Sequence, residues 1–544
     1  MAKAILQKIP ATLRDAPARL FALLLERPRV AAGILALLFV SLAVAAAGIV
    51  KPREIDFLNP LSAFSSSDFD DYFQASKTFL KGEDPYRLGQ INDLFNMAQG
   101  AQGGLDLSDP FKLAAALEKL KGVGTYLYPP FTAFLLTPLT GLEYEIAAAI
   151  FQTASLAALA FFLYCIFRLH RRSIALNASR ASDASGDYNP AGDGPFWLAA
   201  LAAVLLLYRF LDGNAGNGNI GYFLILLCGG GLLLIFRGSF ALEFAGGVLL
   251  GLATIMKITP GFLGLVLIGG RKFVAILGMG AGALLALLAP ASVLGWQRNL
   301  DLFWNWYQLI VQTFSQMSFV RPWMNNQSIS GAIGKLFIPA SDLKQAAYGL
   351  PLGDVSDQAT TAIFAQGVKL ANLSLVVLGL IVAVVVALRF RRSGAVARET
   401  SGQGGSPGAS LSISEMFPPS ILRLMVLAIL ISLLAAGVSW YHAYSILLIP
   451  VVLRLYQHWS GAAPLSPGRA DPLDGAWLAL FGFFGIFQSL LPKGGREALA
   501  MYSVFACLCF GMTLWLAARL ILDRSLSRKA GAAAGAEASR GGGR

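Results

Sequence analysis

The chain has 544 residues, of which 56% are hydrophobic and only 14% charged, and its mean hydropathy is +0.61. Soluble proteins carry roughly 25% charged residues, so the composition excludes a water-facing surface for most of the chain and makes it a polytopic membrane protein. The net charge of +12 does not indicate nucleic acid as a partner, because the basic residues sit at the termini and in short loops between apolar runs and form no single patch.

A crossing helix needs about 20 apolar residues, and about twelve runs are candidates. They are 30–50, 143–169, 196–211, 220–236, 241–257, 258–270, 273–294, 367–388, 419–438, 443–457, 474–491 and 498–522. The first follows a basic segment, residues 1–29, and reads as a retained signal-anchor. Two shorter apolar pieces, 129–139 and 328–337, read as re-entrant or interfacial. With the amino terminus inside, alternation puts Arg27, Arg29, Arg168, Arg171, Arg172, Arg237, Arg271, Lys272, Arg389, Arg454 and Arg524 on one face. That is the bias expected of a cytoplasmic face, so both termini are expected there and the chain in the inner (plasma) membrane.

The cytoplasmic stretches 173–195 and 393–416 and the tail 523–544 are rich in Gly, Ala and Ser and read as flexible. His170 and His458 stand beside inner arginines and read as solvated. The four cysteines all lie in apolar runs, which argues against a disulfide framework or a zinc site. The outer face differs, with two long loops, 51–142 and 295–366, rich in aromatic and amide side chains. Within a domain spanning 30–522, they are where an active site is expected.

The first loop carries Ser65-Ser66-Ser67-Asp68-Phe69-Asp70-Asp71-Tyr72, then Gly82-Glu83-Asp84-Pro85-Tyr86. Taken locally, Asp68 is a helix cap and Gly82 to Pro85 a stop. Tyr128-Pro129-Pro130 opens a short helix. The turn Asp212 to Asn219 holds Asn214, Asn217 and Asn219, more amides than a plain turn requires. Lys257 closes an apolar run, either snorkelling to the headgroups or serving function, since an intramembrane ammonium is costly. Arg321, Asn326 and Gln327 follow in the second loop, and Trp440-Tyr441-His442 places a histidine at the outer end of a span. Asp68, Asn217, Lys257, Asn326 and His442 all map to one face under a topology fixed by other residues. A carboxylate base, cations and amides beside lipid suit transfer from a lipid phosphate.

The same motifs resemble glycosyltransferase family 87, membrane enzymes of the GT-C architecture that include polyprenol-phosphate-mannose-dependent mannosyltransferases. The matching residues are Asp68-Phe69 with Tyr72-Phe73 and Ala75, Gly82 with Pro85-Tyr86, Tyr128-Pro129-Pro130, Gly216-Asn217 with Asn219, Gly251 to Lys257 and Pro260, Asn326-Gln327-Ser328, and Trp440 with His442. The resemblance is clearest over about residues 60–340. It implies an all-α, GT-C-like bundle and inverting transfer of one sugar, mannose in the named members, from a polyprenyl-phosphate donor to a glycolipid or glycan acceptor at the extracytoplasmic face. Asp68 would be the general base. Lys257, with His442 or Arg321, would stabilise the departing phosphate, and Asn217, Asn219, Asn326, Gln327 and Tyr128 would contact sugar or phosphate. No metal or other cofactor is expected.

The rival class is a secondary transporter or lipid flippase. Transporters place charges near the midplane between two similar halves, whereas here the polar residues cluster at one face and the halves differ. Asp68-Phe69-Asp70 also reads D-x-D, a metal and nucleotide-sugar motif in soluble transferases. It is expected to bind neither, because the flanking sequence lacks the alternating strands and helices of a nucleotide-binding fold.

Overall fold

The computed structural model describes Leu20 and residues 22–47, 67–86, 126–182, 192–308, 326–336, 358–400, 412–436, 439–460 and 472–522. Every regular element among them is helical. Five helices are long and apolar enough to cross a bilayer, Pro28–Ala46, Tyr144–Ala175, Phe273–Leu294, Gln366–Arg389 and Val504–Leu522, and a bent pair makes a sixth. The remaining runs of the twelve form shorter apolar helices, broken where glycine, proline or a polar group interrupts them.

In chain order the helices are α1 (Pro28–Ala46), α2 (Ser67–Leu80), α3 (Pro130–Leu136), α4 (Tyr144–Ser182), α5 (Gly194–Leu206), α6 (Tyr208–Asn217), α7 (Gly221–Ile235) and α8 (Phe240–Met256). They continue as α9 (Gly264–Gly269), α10 (Phe273–Leu288), α11 (Trp296–Tyr307), α12 (Ile329–Leu336), α13 (Gln358–Thr400), α14 (Pro419–Ala435), α15 (Leu448–Trp459), α16 (Pro472–Gly482), α17 (Lys493–Met501) and α18 (Val504–Leu522). Proline opens α1, α3 and α14 at their first turns, where its missing N–H costs nothing.

Two breaks position the polar residues. The chain bends by 68° between α5 and α6, which turns the Asn-rich end of α6 into the bundle. Helix α6 then stops at Gly218, whose φ of 64° and ψ of 41° is the left-handed conformation that glycine adopts without strain. Helix α8 stops because Lys257 is extended (φ −155°, ψ 123°) and Pro260 follows. A methyl group on Gly247, Gly251, Gly278 or Gly282 would meet a backbone carbonyl of the facing helix, so α8 and α10 lie backbone to backbone. That close packing fixes where Lys257 emerges.

Polar groups separate to the two ends of the bundle. One end gathers Asp68, Tyr128, Asn219, Lys257 and His442. The other holds a buried ion triad, Asp474 with Arg423 at 2.9 Å and Arg454 at 3.0 Å, which ties α14, α15 and α16 together. Arg454, expected at the inner face, is an internal ion-pair partner there, 4% exposed.

Three further expectations change. The stretch 173–195 is not all linker, because α4 runs on to Ser182; residues 173–182 hold no Gly or Pro to stop it. Likewise α13 extends to Thr400, and Ile413–Met416 forms a turn of helix with a Ser412–Glu415 capping box. His170 is not solvated: it is buried, with Nδ1 3.0 Å from Tyr456 Oη and Nε2 3.5 Å from Asp193.

Candidate active site

Asp68 occupies the first turn of α2, where the helix dipole favours a carboxylate. Phe69 beside it is fully buried against Tyr144 and Phe151 of α4, with ring centroids 5.8 and 4.8 Å away, and so locks the start of α2 to the bundle. The helix ends at Gly82 (φ 70°), after which Asp84 accepts from the Tyr86 N–H at 3.0 Å. Tyr86 then donates to the Tyr128 carbonyl at 2.8 Å. The Gly82-to-Tyr86 motif thus braces the Tyr128 segment. Pro129 and Pro130 start α3, and Thr132 on it donates to the Met256 carbonyl at 3.1 Å, one residue before Lys257.

Asn219 is the hub. Its Oδ1 accepts from the Gly221 N–H at 3.1 Å, which turns Nδ2 toward Asp68 Oδ2 at 2.7 Å. The same Nδ2 lies 3.1 Å from Tyr128 Oη and 3.3 Å from His442 Nε2. Lys257 Nζ sits over the Tyr128 ring, 5.6 Å from its centroid. Asn217 reaches His442 Nδ1 at 3.5 Å, and Asn214 donates to Ser445 Oγ at 3.1 Å. Side chains from α2, the Tyr128 segment, the end of α6, the end of α8 and the 3-10 turn Tyr441–Leu447 therefore share one cleft.

The electrostatics follow from burial. His442 is 8% exposed, and burial with the neighbouring Lys257 charge pushes its imidazole down to about 3. It is a neutral hydrogen-bonding group here, unlike the cation expected at this position. Tyr72 lies on the same helical face as Asp68, four residues on, and meets Tyr128 edge-on at 5.0 Å. Burial pushes its phenol well above its ordinary range, and Tyr128 and Asp68 push the same way. The i, i+4 spacing from Asp68 was the sequence signal for Tyr72.

Asn326 and Gln327 stand behind the cleft. Asn326 Oδ1 accepts from the Ser328 N–H at 3.1 Å and from the Ser439 N–H at 2.9 Å. The Gln327 N–H donates to the Ser439 carbonyl at 2.7 Å, and Tyr444 Oη donates to the Gln327 carbonyl at 3.2 Å. These bonds hold the Trp440–His442 turn in place. Lys335 anchors the arrangement by donating to the Asn326 carbonyl, the Ala500 carbonyl and Ser503 Oγ, and burial pushes its ammonium down to about 7. Sequence reasoning missed Lys335, whose partners come from a distant part of the chain. Arg321 lies outside the described residues.

The motif pair Asp68 and Asp70 does not act as a unit. Both lie on α2, and residues two apart on a helix face away from each other. Asp68 turns to Asn219, while exposed Asp70 accepts from Gln74 at 3.3 Å.

Fold and site together define a polytopic all-helical membrane protein with a carboxylate-centred polar cleft at one end of its bundle. Residues 126–401, half of the chain, match glycosyltransferase family 87, and the chain belongs to that family. It is a membrane glycosyltransferase, which sets aside the transporter reading. Tyr128, Asn217, Asn219, Lys257, Arg321, Asn326 and Gln327 fall within the matched range; Asp68 and His442 lie outside it and join it through contacts with Asn219. No curated protein and no solved structure matches the chain.

Proposed function

We propose that the chain transfers one sugar, with mannose the first choice, from a polyprenyl-phosphate donor to a hydroxyl of a glycolipid or glycan at the extracytoplasmic face of the inner membrane. In this reading about twelve segments cross, and both termini are cytoplasmic. The acceptor oxygen attacks the anomeric carbon as its proton passes to the Asp68 carboxylate. The bond from that carbon to the phosphate oxygen breaks, and the electron pair leaves on polyprenyl phosphate, with inversion. A phosphate monoester needs no protonation to depart where a cation meets it, so a single carboxylate suffices where glycosidases use two. Lys257 supplies that cation. Asn219 orients the base, and Asn217 and Tyr128 line the sugar and phosphate site.

The observation that carries the reading is the Asp68–Asn219–Tyr128–Lys257 sequence of contacts, which puts a carboxylate and an ammonium in one cleft. The purified protein, given an acceptor lipid, is expected to transfer sugar from polyprenyl-phosphate mannose in the presence of EDTA and to leave nucleotide sugars untouched. Metal-dependent turnover of a nucleotide sugar would overturn the donor assignment. Turnover of polyprenyl-phosphate glucose in place of mannose would change the sugar alone.

A further inference from the structure

At the end of the bundle away from the cleft, α4 carries a second surface. Its outward stripe runs through Phe161 and Tyr164, 53% and 48% exposed, and then turns basic at Arg168, Arg171 and Arg172. Spacings of three and four residues put these side chains on successive turns of one helix face. The Phe161 and Tyr164 rings stack with centroids 6.2 Å apart, and Arg168 Nη1 donates to Tyr164 Oη at 3.3 Å. Below them lies an open groove of about 410 Å³ lined by Tyr164, Phe167, Arg168, Arg171, Arg172 and Ala175.

The charges in this groove do not balance. Asp193 engages Arg171 through both oxygens at 3.1 and 3.0 Å. Arg168 and Arg172 have no acidic partner among the described residues, and Arg237 at the end of α7 stands close enough to Arg172 for the two charges to repel. Among the described residues, the one carboxylate of Asp193 therefore stands against the three guanidiniums that line the groove, with Arg237 a fourth nearby.

We propose that this groove binds the phosphate headgroup of an anionic phospholipid, with Arg168 and Arg172 gripping the phosphate and an acyl chain lying along Tyr164 and Phe161. Guanidinium is the side chain best shaped for phosphate, because its fork presents parallel donors. The apolar stripe selects a lipid over free phosphate: Phe161 and Tyr164 lie within the crossing segment Tyr144–Ala175 and face outward, where hydrocarbon is. The stripe becomes basic over the last two turns of that segment, toward the depth of the headgroups, and basic pockets there suit anionic lipids. A bound phosphate would also relieve the repulsion between Arg172 and Arg237 and so join the ends of α4 and α7. The site is roughly 25 Å along α4 from Phe151 at the cleft, at 1.5 Å per residue, and does not depend on the catalytic reading.

Native mass spectrometry of the full-length protein in neutral detergent tests this, with phosphatidylglycerol and phosphatidylcholine of identical chains supplied at equal concentration. The wild type is expected to retain phosphatidylglycerol at least about fivefold over phosphatidylcholine. The double variant Arg168→Gln, Arg172→Gln should lose that preference, while Arg271→Gln, an exposed arginine elsewhere, should keep it. The charge-preserving Arg168→Lys, Arg172→Lys variant should keep a preference, which separates loss of the site from loss of the fold. Equal retention of the two lipids by the wild type, or an unchanged preference in the double Gln variant, would overturn the proposal. Displacement of the lipid by millimolar inorganic phosphate would do so as well, by showing a free-anion site.

Discussion

Asn219 donates to Asp68 Oδ2 at 2.7 Å while its own Oδ1 accepts from the Gly221 N–H at 3.1 Å. The second bond fixes the first, because an amide pinned by its oxygen can only present its nitrogen to the carboxylate. In the proposed mechanism Asn219 is thus a positioning residue for Asp68. Asn219→Ala is expected to lower kcat roughly 10- to 100-fold, the scale of a small misplacement of a reacting group, with the KM for donor little changed. Asn219→Asp would set two carboxylates side by side and raise the apparent pKa of the pair. The acid limb of its pH-rate profile should move to higher pH. A profile identical to wild type would mean that Asn219 does not act through Asp68.

Asp68→Asn tests the base directly. The amide still fits the first turn of α2 but takes no proton, so activity should fall at least about 100-fold while the protein remains folded and membrane-inserted. Asp70 is exposed and bonded to Gln74, so Asp70→Asn should stay within a few-fold of wild type. Asp71→Asn should also be tolerated. A dead Asp71→Asn beside a near-normal Asp68→Asn would transfer the base assignment to Asp71.

Lys257 emerges where α8 breaks, and its Nζ lies over the Tyr128 ring at 5.6 Å. Removing the ammonium spares its desolvation cost but leaves the departing phosphate uncompensated. Lys257→Ala is therefore expected to reduce kcat/KM for the lipid donor by about 100- to 1,000-fold, with little effect on the melting temperature. Rates at subsaturating donor that match wild type would make Lys257 a snorkelling residue only.

His442 gives a pH signature with a definite sign. Its folded-state value of about 3 lies below its ordinary value of 6.5, so at intermediate pH the unfolded chain takes up a proton that the folded chain does not. The contribution to stability is whole above about pH 6.5 and is lost as pH falls toward 3. The melting temperature in detergent should decline across that window, and the decline should be shallower in His442→Asn. For the reaction, a neutral imidazole predicts no loss of rate as pH rises through about 6.5; a collapse there would mean that the imidazolium does the work.

How far the sequence could be read depended on the distance between partners. The apolar runs, the break at Lys257 and Pro260, and the gathering of polar residues at one end are local signals, and they appear in the structure at those places. Which residue touches which was not legible, because Asn219 and Asp68 are 151 positions apart and only packing brings them together. His170 looked solvated beside Arg171 for the same reason: Asp193 and Tyr456, which enclose it, come from the start of α5 and from α15. The bend between α5 and α6 has no proline at Leu207 to announce it, so an apolar run that reads as one span is two helices. Asn326 and Gln327 carried an amide signature that fits a sugar ligand and a backbone tie equally well, and the tie is what the geometry displays.

That last pair yields a prediction on which the two readings part. Asn326 Oδ1 holds the N–H groups of Ser328 and Ser439 together, and Asn326, Ser328 and Ser439 are all buried. Truncation to alanine would leave two buried donors without that acceptor, at a cost of about 1–3 kcal/mol each before relaxation. Asn326→Ala should therefore lower the melting temperature and depress kcat, because the Trp440–His442 turn loses its anchor next to the cleft. The KM for donor should stay near wild type. A direct contact with sugar or phosphate predicts the reverse, a raised KM in a protein of unchanged stability. Measuring donor KM and melting temperature on the same preparation separates a brace from a ligand-binding residue, and a raised KM with an intact melting curve would return Asn326 to the binding site.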